Sequence, residues 1–150
     1  HGLPENKIKG GDPYQWQVEL SVKELVDKLS IKNLNYILSY QSRVGPLKWI
    51  GPSTEKVIKD EAKKQKIIIV VPVAFVSEHS ETLVELDIEY RKLAEENGSR
   101  EYIRVPAVTT NQDFINSLKS SILRAGSNEK YTSSIKCLDK FKKCPRLKEL

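Results

Sequence analysis

The chain has 150 residues, of which 39% are hydrophobic and 30% are charged, and its formal net charge is +5. This length gives one domain with a real core, and the mild charge, much of it at 130–148, gives no indication of nucleic-acid binding. No apolar run approaches the roughly 18 residues of a membrane span, and the polar start at 1–12 has no signal-peptide pattern. The sequence contains no methionine, so we expect a processed or partial product with upstream sequence missing.

Helical and strand patterns alternate along the chain. In chain order they predict helices over 13–29, 53–64, 77–96 and 113–123, separated by strands over 35–40, 66–71 and 102–105. Asp12 and Ser53 are favourable N-caps, and Asn97-Gly98 is a typical helix end. The β-branched run at 66–71 is typical of a parallel strand that is covered on both faces.

This order predicts an α/β fold, an open parallel sheet with helices on both faces. Sites in such folds lie in the loops at the carboxyl ends of the strands, which are the loops 41–52, 72–78 and 106–111. From Gly126 onward the pattern fades into a tail rich in serine and lysine. We therefore divide the chain into a domain over 1–124 and a basic tail over 125–150.

Four glutamates are spaced along the predicted helix 77–96. At about 100° per residue, Glu78, Glu81, Glu85 and Glu89 fall within roughly 80° of one another. A solvated acidic face is one interpretation of this pattern. The other is a metal route, because carboxylate oxygens together with an imidazole suit a labile divalent ion. His79 lies at the loop-to-helix corner after the strongest strand, where such an ion would bind.

The loop 40–52 is the second candidate site. Two glycines and two prolines make it rigid, and it carries Trp49, a large flat apolar side chain. Such a loop can hold a planar ligand whose carboxylates Ser42 and Arg43 would bind. Packing of Trp49 in the core is the alternative. The terminal His1 indicates no function by itself.

Together these segments resemble the ferrochelatases. The motifs are His-Gly-Leu-Pro at 1–4, Gly-Asp-Pro-Tyr at 11–14, Tyr-Gln-Ser-Arg-Val-Gly-Pro at 40–46, Trp-Ile-Gly-Pro at 49–52, Pro-Val-Ala-Phe at 72–75 and Glu-His-Ser-Glu-Thr-Leu at 78–83. The resemblance covers 1–124 and is to the proteobacterial and mitochondrial branch. It implies the second of two Rossmann-like chelatase domains, with the end of the crossover from the first. It also implies insertion of ferrous iron into protoporphyrin IX, the last step of haem biosynthesis.

The resemblance also assigns site residues. It implies that His1 and Glu81 bind the ferrous substrate and handle protons, with His79 as a further catalytic residue. The remaining positions are metal-lining glutamates at Glu78, Glu85 and Glu89, and porphyrin contacts at Ser42, Arg43, Trp49 and Phe75. The family's glutamate-bearing helix is often a π-helix.

Partners and cofactors follow from the same resemblance. The porphyrin lies between two domains in this family, so an N-terminal domain is missing and we expect the chain alone to be inactive. Some members carry a [2Fe–2S] cluster held by four cysteines, but Cys137 and Cys144 supply only two, and we expect free thiols. The basic run 136–148 can contact an anionic membrane, or it is a solvated tail. The expected location is the bacterial cytoplasm, with membrane contact, or the mitochondrial inner membrane for a eukaryotic source.

Two other functions remain open. A cobalt or sirohydrochlorin chelatase would share the fold and the His/Glu pair, although the Trp49 loop and the motif at 40–46 argue against it. A non-catalytic module that binds porphyrin or iron would bind stoichiometrically without inserting metal. The branch favours protoporphyrin over coproporphyrin as the substrate.

Overall fold

The computed structural model describes residues 1–127 and 138–144. Its elements are α1 (Glu5–Lys9), α2 (Tyr14–Leu29), α3 (Thr54–Ala62), β1 (Ile67–Val70), a π-helix (Glu81–Glu89), α4 (Tyr90–Glu96), β2 (Glu101–Arg104) and α5 (Gln112–Gly126). This alternation confirms the α/β class. Within the two described ranges, no helix is long and apolar enough to cross a membrane.

The two strands form a parallel pair whose register runs from Ile67 opposite Glu101 to Val70 opposite Arg104. A parallel pair needs a crossover connection, which the π-helix and α4 provide. The apolar core lies between these helices, α3 and the sheet, and its centre is formed by Ile58, Leu86, Tyr90, Ala94 and Tyr102. Because this core fixes the π-helix against the sheet, it also fixes the side chains at the start of that helix.

Local signals set the helix ends. The Ser53 side chain accepts a hydrogen bond from the Lys56 backbone N–H at 3.3 Å and caps α3 as predicted. Gly98, with φ +89°, follows α4 in the left-handed conformation that glycine adopts without strain. Asp12 differs from the prediction, because Pro13 is the N-cap of α2 and the Asp12 carboxylate accepts from the Tyr14 N–H at 2.9 Å.

The predicted strand over 35–40 is wrong. The described residues form a two-stranded sheet, and this segment makes one parallel bridge, between Tyr40 and Ser53. A cavity of about 920 Å³ separates the segment from β1, so the neighbouring strand that its sequence pattern requires is not beside it. Tyr36 and Ile37 accordingly remain 52% and 49% exposed.

Candidate functional site

The first residues of the chain pack on the loop that follows the segment 35–40. The Gly2 N–H donates to the Gln41 carbonyl at 3.3 Å, and the Tyr14 hydroxyl donates to the His1 carbonyl at 2.8 Å. Gly2 is buried, and a Cβ atom there would lie 3.5 Å from Cε3 of Trp49. These contacts fix the backbone of His1 on the side of the fold where the parallel strands end. The His1 imidazole reaches toward the π-helix.

The carboxylate of Glu81, the first residue of the π-helix, lies between two imidazoles. Its Oε1 is 3.7 Å from Nε2 of His1, and its Oε2 is 2.7 Å from Nδ1 of His79. The Phe75 ring stands edge-on to both imidazoles, with centroid distances of 5.4 Å to His1 and 4.6 Å to His79. The structure therefore brings four of the predicted site residues into one cluster, whose polar side chains are between 32% and 41% exposed.

Nδ1 of His79 faces two groups of the same residue. It is 2.7 Å from the Glu81 carboxylate and 3.2 Å from the Glu81 backbone N–H. A protonated Nδ1 donates to the carboxylate, whereas an unprotonated Nδ1 accepts from the backbone N–H. The imidazole thus has a partner in either state, which suits a group that gains and loses a proton.

The Glu81 carboxylate is stabilised in its ionised form. Hydrogen bonds from its own backbone N–H, from the Ser80 hydroxyl and from His79 hold its pKa below the ordinary value. An ionised carboxylate facing an imidazole can bind a divalent ion. The 3.7 Å gap to His1 is close to the separation of two ligands that each lie about 2.1 Å from one ion.

Glu78 faces away from this cluster. Its carboxylate accepts from Nη1 of Arg104 at 2.6 Å and from the Ala107 backbone N–H at 2.8 Å. The Thr82 hydroxyl, then Arg104 and Ala107, lower the pKa of Glu78 to about 2. Arg104 also binds Asp87 through Nε and Nη2, at 3.0 and 2.5 Å. Glu78 thus links the end of β2 to the residues just before the π-helix.

Glu85 and Glu89 belong to a second group of residues. The Glu85 carboxylate accepts hydrogen bonds from Ser42, from Gln41 and from the Tyr90 hydroxyl. Glu89 is exposed, and with Glu85, Ser42 and Arg43 it lines a polar cavity of about 360 Å³. Across 1–127 and 138–144, no three His, Cys, Asp or Glu side chains are grouped to hold a metal ion.

The helix type differs from the prediction. The prediction of a single acidic face assumed 100° per residue, as in an α-helix. Over Glu81–Glu89 the structure has a π-helix, in which hydrogen bonds join residues five apart. Glu78 lies before the first residue of this helix. The π-helix that the family resemblance implied is confirmed.

Of the predicted porphyrin contacts, Phe75 lies in the cluster with Glu81. The other three lie at the two ends of the exposed stretch 43–48, namely Ser42, Arg43 and Trp49. Trp49 is half-buried against Gly2, and its Nε1–H donates to the Val44 carbonyl at 3.1 Å. Nη2 of Arg43 donates to the Ile50 carbonyl at 3.0 Å, which braces the loop. Val44 in this loop is 72% exposed.

Sequence reasoning also missed the role of two polar residues. Tyr14 holds the His1 carbonyl, and the Gln41 side chain donates to the Glu81 carbonyl at 3.1 Å and to Glu85 at 2.9 Å. Both residues lie within the family motifs quoted above, which marked them without indicating what they contact.

Cys144 is not brought to the site. Cys144 is 1% exposed in a turn whose Lys143 N–H donates to the Gly11 carbonyl at 3.2 Å. Beside it, the rings of Trp16 and Phe141 pack with centroids 5.3 Å apart. Cys137 lies outside the described residues, so the expectation of free thiols stays a prediction for the pair.

Comparisons with known proteins agree on one family. The sequence model described as Ferrochelatase matches residues 1–125. Ferrochelatase of Pelagibacter ubique (strain HTCC1062) is 60% identical over 151 aligned positions, which cover 98% of this chain and 44% of that protein. Ferrochelatase of Rickettsia typhi (strain Wilmington) is 49% identical over 150 aligned positions, which cover 96% of this chain and 44% of that protein. The chain thus spans less than half the length of these curated relatives.

Proposed function

This chain belongs to the ferrochelatase family, and we propose that it supplies the metal-binding and proton-accepting side of a ferrochelatase active site. The reaction places ferrous iron in a porphyrin and releases two pyrrole protons. The observation that carries the proposal is the position of the Glu81 carboxylate between the imidazoles of His1 and His79.

The ferrous ion approaches between His1 and Glu81. Two protein ligands bind a divalent ion weakly compared with the three or four of a resident site, and this suits a metal that must pass on to the porphyrin. As the ion moves to the pyrrole nitrogens, the imidazole and the carboxylate are released and can accept the departing protons. The ionised state of Glu81 and the two hydrogen-bonding states of His79 support this role.

The apolar side chains around the pair supply the wall for the macrocycle. Phe75 keeps both imidazole rings in place, and Trp49 presents a flat surface beside Gly2. A rigid wall can use binding energy to bend the flat porphyrin so that a nitrogen lone pair tilts toward the metal. We place the porphyrin propionates near Arg43 and Ser42 and take protoporphyrin IX as the substrate.

The remaining half of the protein completes this site. The chain covers 44% of its Pelagibacter relative, so we propose that a second domain closes the porphyrin cleft and that the chain alone does not turn over. Bacterial cytoplasmic location, with contact between the basic tail and the membrane, remains part of the proposal.

The test is metal insertion by the full-length protein that contains this chain. Zinc insertion into protoporphyrin is followed by product fluorescence for the wild type, Glu81→Gln and His1→Ala, with Glu95→Gln on the exposed side of α4 as the control. We expect Glu81→Gln and His1→Ala to lower kcat at least about 100-fold while porphyrin binding persists. Porphyrin binding by the wild type without turnover would reduce the protein to a binding module, and unchanged kcat in both variants would refute the assigned pair.

A further inference from the structure

Thr82 is a buried polar residue at the start of the π-helix, where it is 0% exposed. Its hydroxyl accepts a hydrogen bond from the His79 backbone N–H at 3.0 Å and donates one to the His79 carbonyl at 3.1 Å. The Thr82 backbone N–H donates to the same carbonyl at 3.0 Å. A buried hydroxyl needs hydrogen-bond partners. Because both partners here belong to one residue, the Thr82 side chain fixes the backbone of His79.

His79 itself caps the π-helix. Ser80 already has helical backbone angles, with φ −56° and ψ −39°, and its side chain makes no capping hydrogen bond. Nδ1 of His79 accepts from the Glu81 backbone N–H at 3.2 Å, which is the bond that a capping side chain makes with the second helical residue. Thr82, the next residue, returns a bond to the His79 N–H, as in a capping box. An imidazole thus takes the place of the usual hydroxyl or carboxylate.

The capping box determines how the imidazole meets the carboxylate of the site. The same Nδ1 that caps the helix is 2.7 Å from the Glu81 carboxylate. The edge contact with Phe75 places the other side of the His79 ring against an apolar side chain. Both contacts of Nδ1 require that the backbone of His79 stay at the start of the helix, which is the part that Thr82 holds.

Glu78 supports Thr82 from behind. The Thr82 hydroxyl is the largest cause of the lowered pKa of Glu78, so it lies within reach of that carboxylate. Oε2 of Glu78 is buried and has no hydrogen-bond partner among the residues that the structure describes. A hydroxyl has one proton and two lone pairs. Thr82 can therefore donate to the His79 carbonyl or to Glu78, and in both cases it still accepts from the His79 N–H.

We infer that Thr82 is a positioning residue for metal insertion, because its hydroxyl holds His79 as the cap of the π-helix and so keeps the imidazole against the Glu81 carboxylate. Thr82 acts through His79 and not on the porphyrin or the ion. The inference rests on the proposed function for the role of His79 as a proton acceptor.

Three variants of the full-length protein test this role. Thr82→Val removes the hydroxyl and keeps the shape of the side chain, and Thr82→Ser keeps the hydroxyl. Thr54→Val is the matched control, because Thr54 is 7% exposed and its hydroxyl forms a hydrogen bond with the Ser39 hydroxyl at 2.9 Å, in α3. If Thr82→Val does not fold in urea unfolding measurements, Thr82→Cys, whose thiol is a weak donor, replaces it.

Zinc insertion measures the effect on the reaction. We expect Thr82→Val to lower kcat at least about ten-fold with the porphyrin KM within about two-fold of wild type, and Thr82→Ser and Thr54→Val to keep kcat within about three-fold. In a His79→Ala background, Thr82→Val should cause no further loss, because two changes that act through one group are not additive. Equal kcat for Thr82→Val and Thr54→Val, or a further ten-fold loss in the His79→Ala background, would overturn the inference.

NMR of the full-length protein with labelled histidine provides a readout that does not depend on activity. The Phe75 ring shifts the resonances of the nearby His79 imidazole protons, and His79→Ala identifies these signals. We expect Thr82→Val to move them and Thr54→Val to leave them in place. Unmoved signals in Thr82→Val would refute the positioning role. Moved signals, together with an unchanged kcat for His79→Ala, would support the positioning of His79 and refute its proposed role in the reaction.

Discussion

The Glu85 carboxylate accepts hydrogen bonds from both the backbone N–H of Ser42, at 3.1 Å, and the Ser42 hydroxyl. Ser42 has φ +58°, in the left-handed region that costs a residue with a side chain about 1 kcal/mol or more. Gln41 and the Tyr90 hydroxyl add donors at 2.9 and 2.7 Å. Glu85 therefore pins the start of the Trp49 loop to the π-helix.

Replacing Glu85 by Gln should loosen this loop. The amide NH₂ of glutamine cannot accept hydrogen bonds from the donors that now surround the carboxylate. We therefore expect the full-length protein to lose about 1–3 kcal/mol in the free energy of unfolding. The KM for porphyrin should rise while the KM for zinc stays nearly constant. Urea unfolding and steady-state insertion measure both. Ser42→Gly is the matched control for stability, because it removes the hydroxyl but suits the positive φ, and its loss of unfolding free energy should be smaller. A rise in the zinc KM alone would instead make Glu85 a metal ligand.

The lowered pKa of Glu78 predicts an acid-dependent loss of stability. Its folded pKa of about 2 lies below its ordinary value of 4.5, so the ionised form stabilises the fold above pH 4.5. This contribution is lost as the pH falls from 4.5 toward 2. We expect Glu78→Gln to be less stable than wild type at pH 6 and the difference to shrink at pH 3. Urea unfolding at several pH values provides the comparison, and a difference independent of pH would contradict the prediction.

The two faces of the π-helix should differ in their tolerance of truncation. Leu86 is 1% exposed in the core, whereas Leu83 is 47% exposed on the outer face. Leu86→Ala should cost about 2–5 kcal/mol of folding free energy, because it removes buried methyl groups and leaves a cavity. Leu83→Ala should cost under about 1 kcal/mol in denaturant unfolding. Equal losses would mean that the helix is rotated from the position described.

Tyr14→Phe should lower turnover without lowering porphyrin binding. The Tyr14 hydroxyl donates a hydrogen bond to the His1 carbonyl at 2.8 Å. Its loss removes a hydrogen bond worth about 1 kcal/mol. If that energy serves to position His1 for the reaction, kcat falls roughly five-fold. Zinc insertion and porphyrin fluorescence quenching measure the two quantities. Tyr36→Phe is the control, because Tyr36 is 52% exposed. Equal kcat for the two variants would show that Tyr14 does not position His1.

Local patterns predicted most of the helices and the two strands that form, because helical periodicity and caps such as Ser53 depend on neighbouring residues. The segment 35–40 has a strand pattern, but a strand needs a neighbour, and no local signal identifies one. The site shows the same division. The family motifs marked Glu78 and Glu85, yet their partners Arg104 and Ser42 lie 26 and 43 residues away in sequence. Only the fold reveals that these carboxylates hold other elements in place.

The ion-pair cluster of Arg104 also holds the carboxylate of the proposed metal-binding pair in place from both sides. Its guanidinium holds Glu78, three residues before Glu81, and Asp87, six residues after it. Both flanks of the Glu81 carboxylate are thus anchored to the end of β2. In the proposed mechanism, the carboxylate therefore serves as the stationary reference point for the ion.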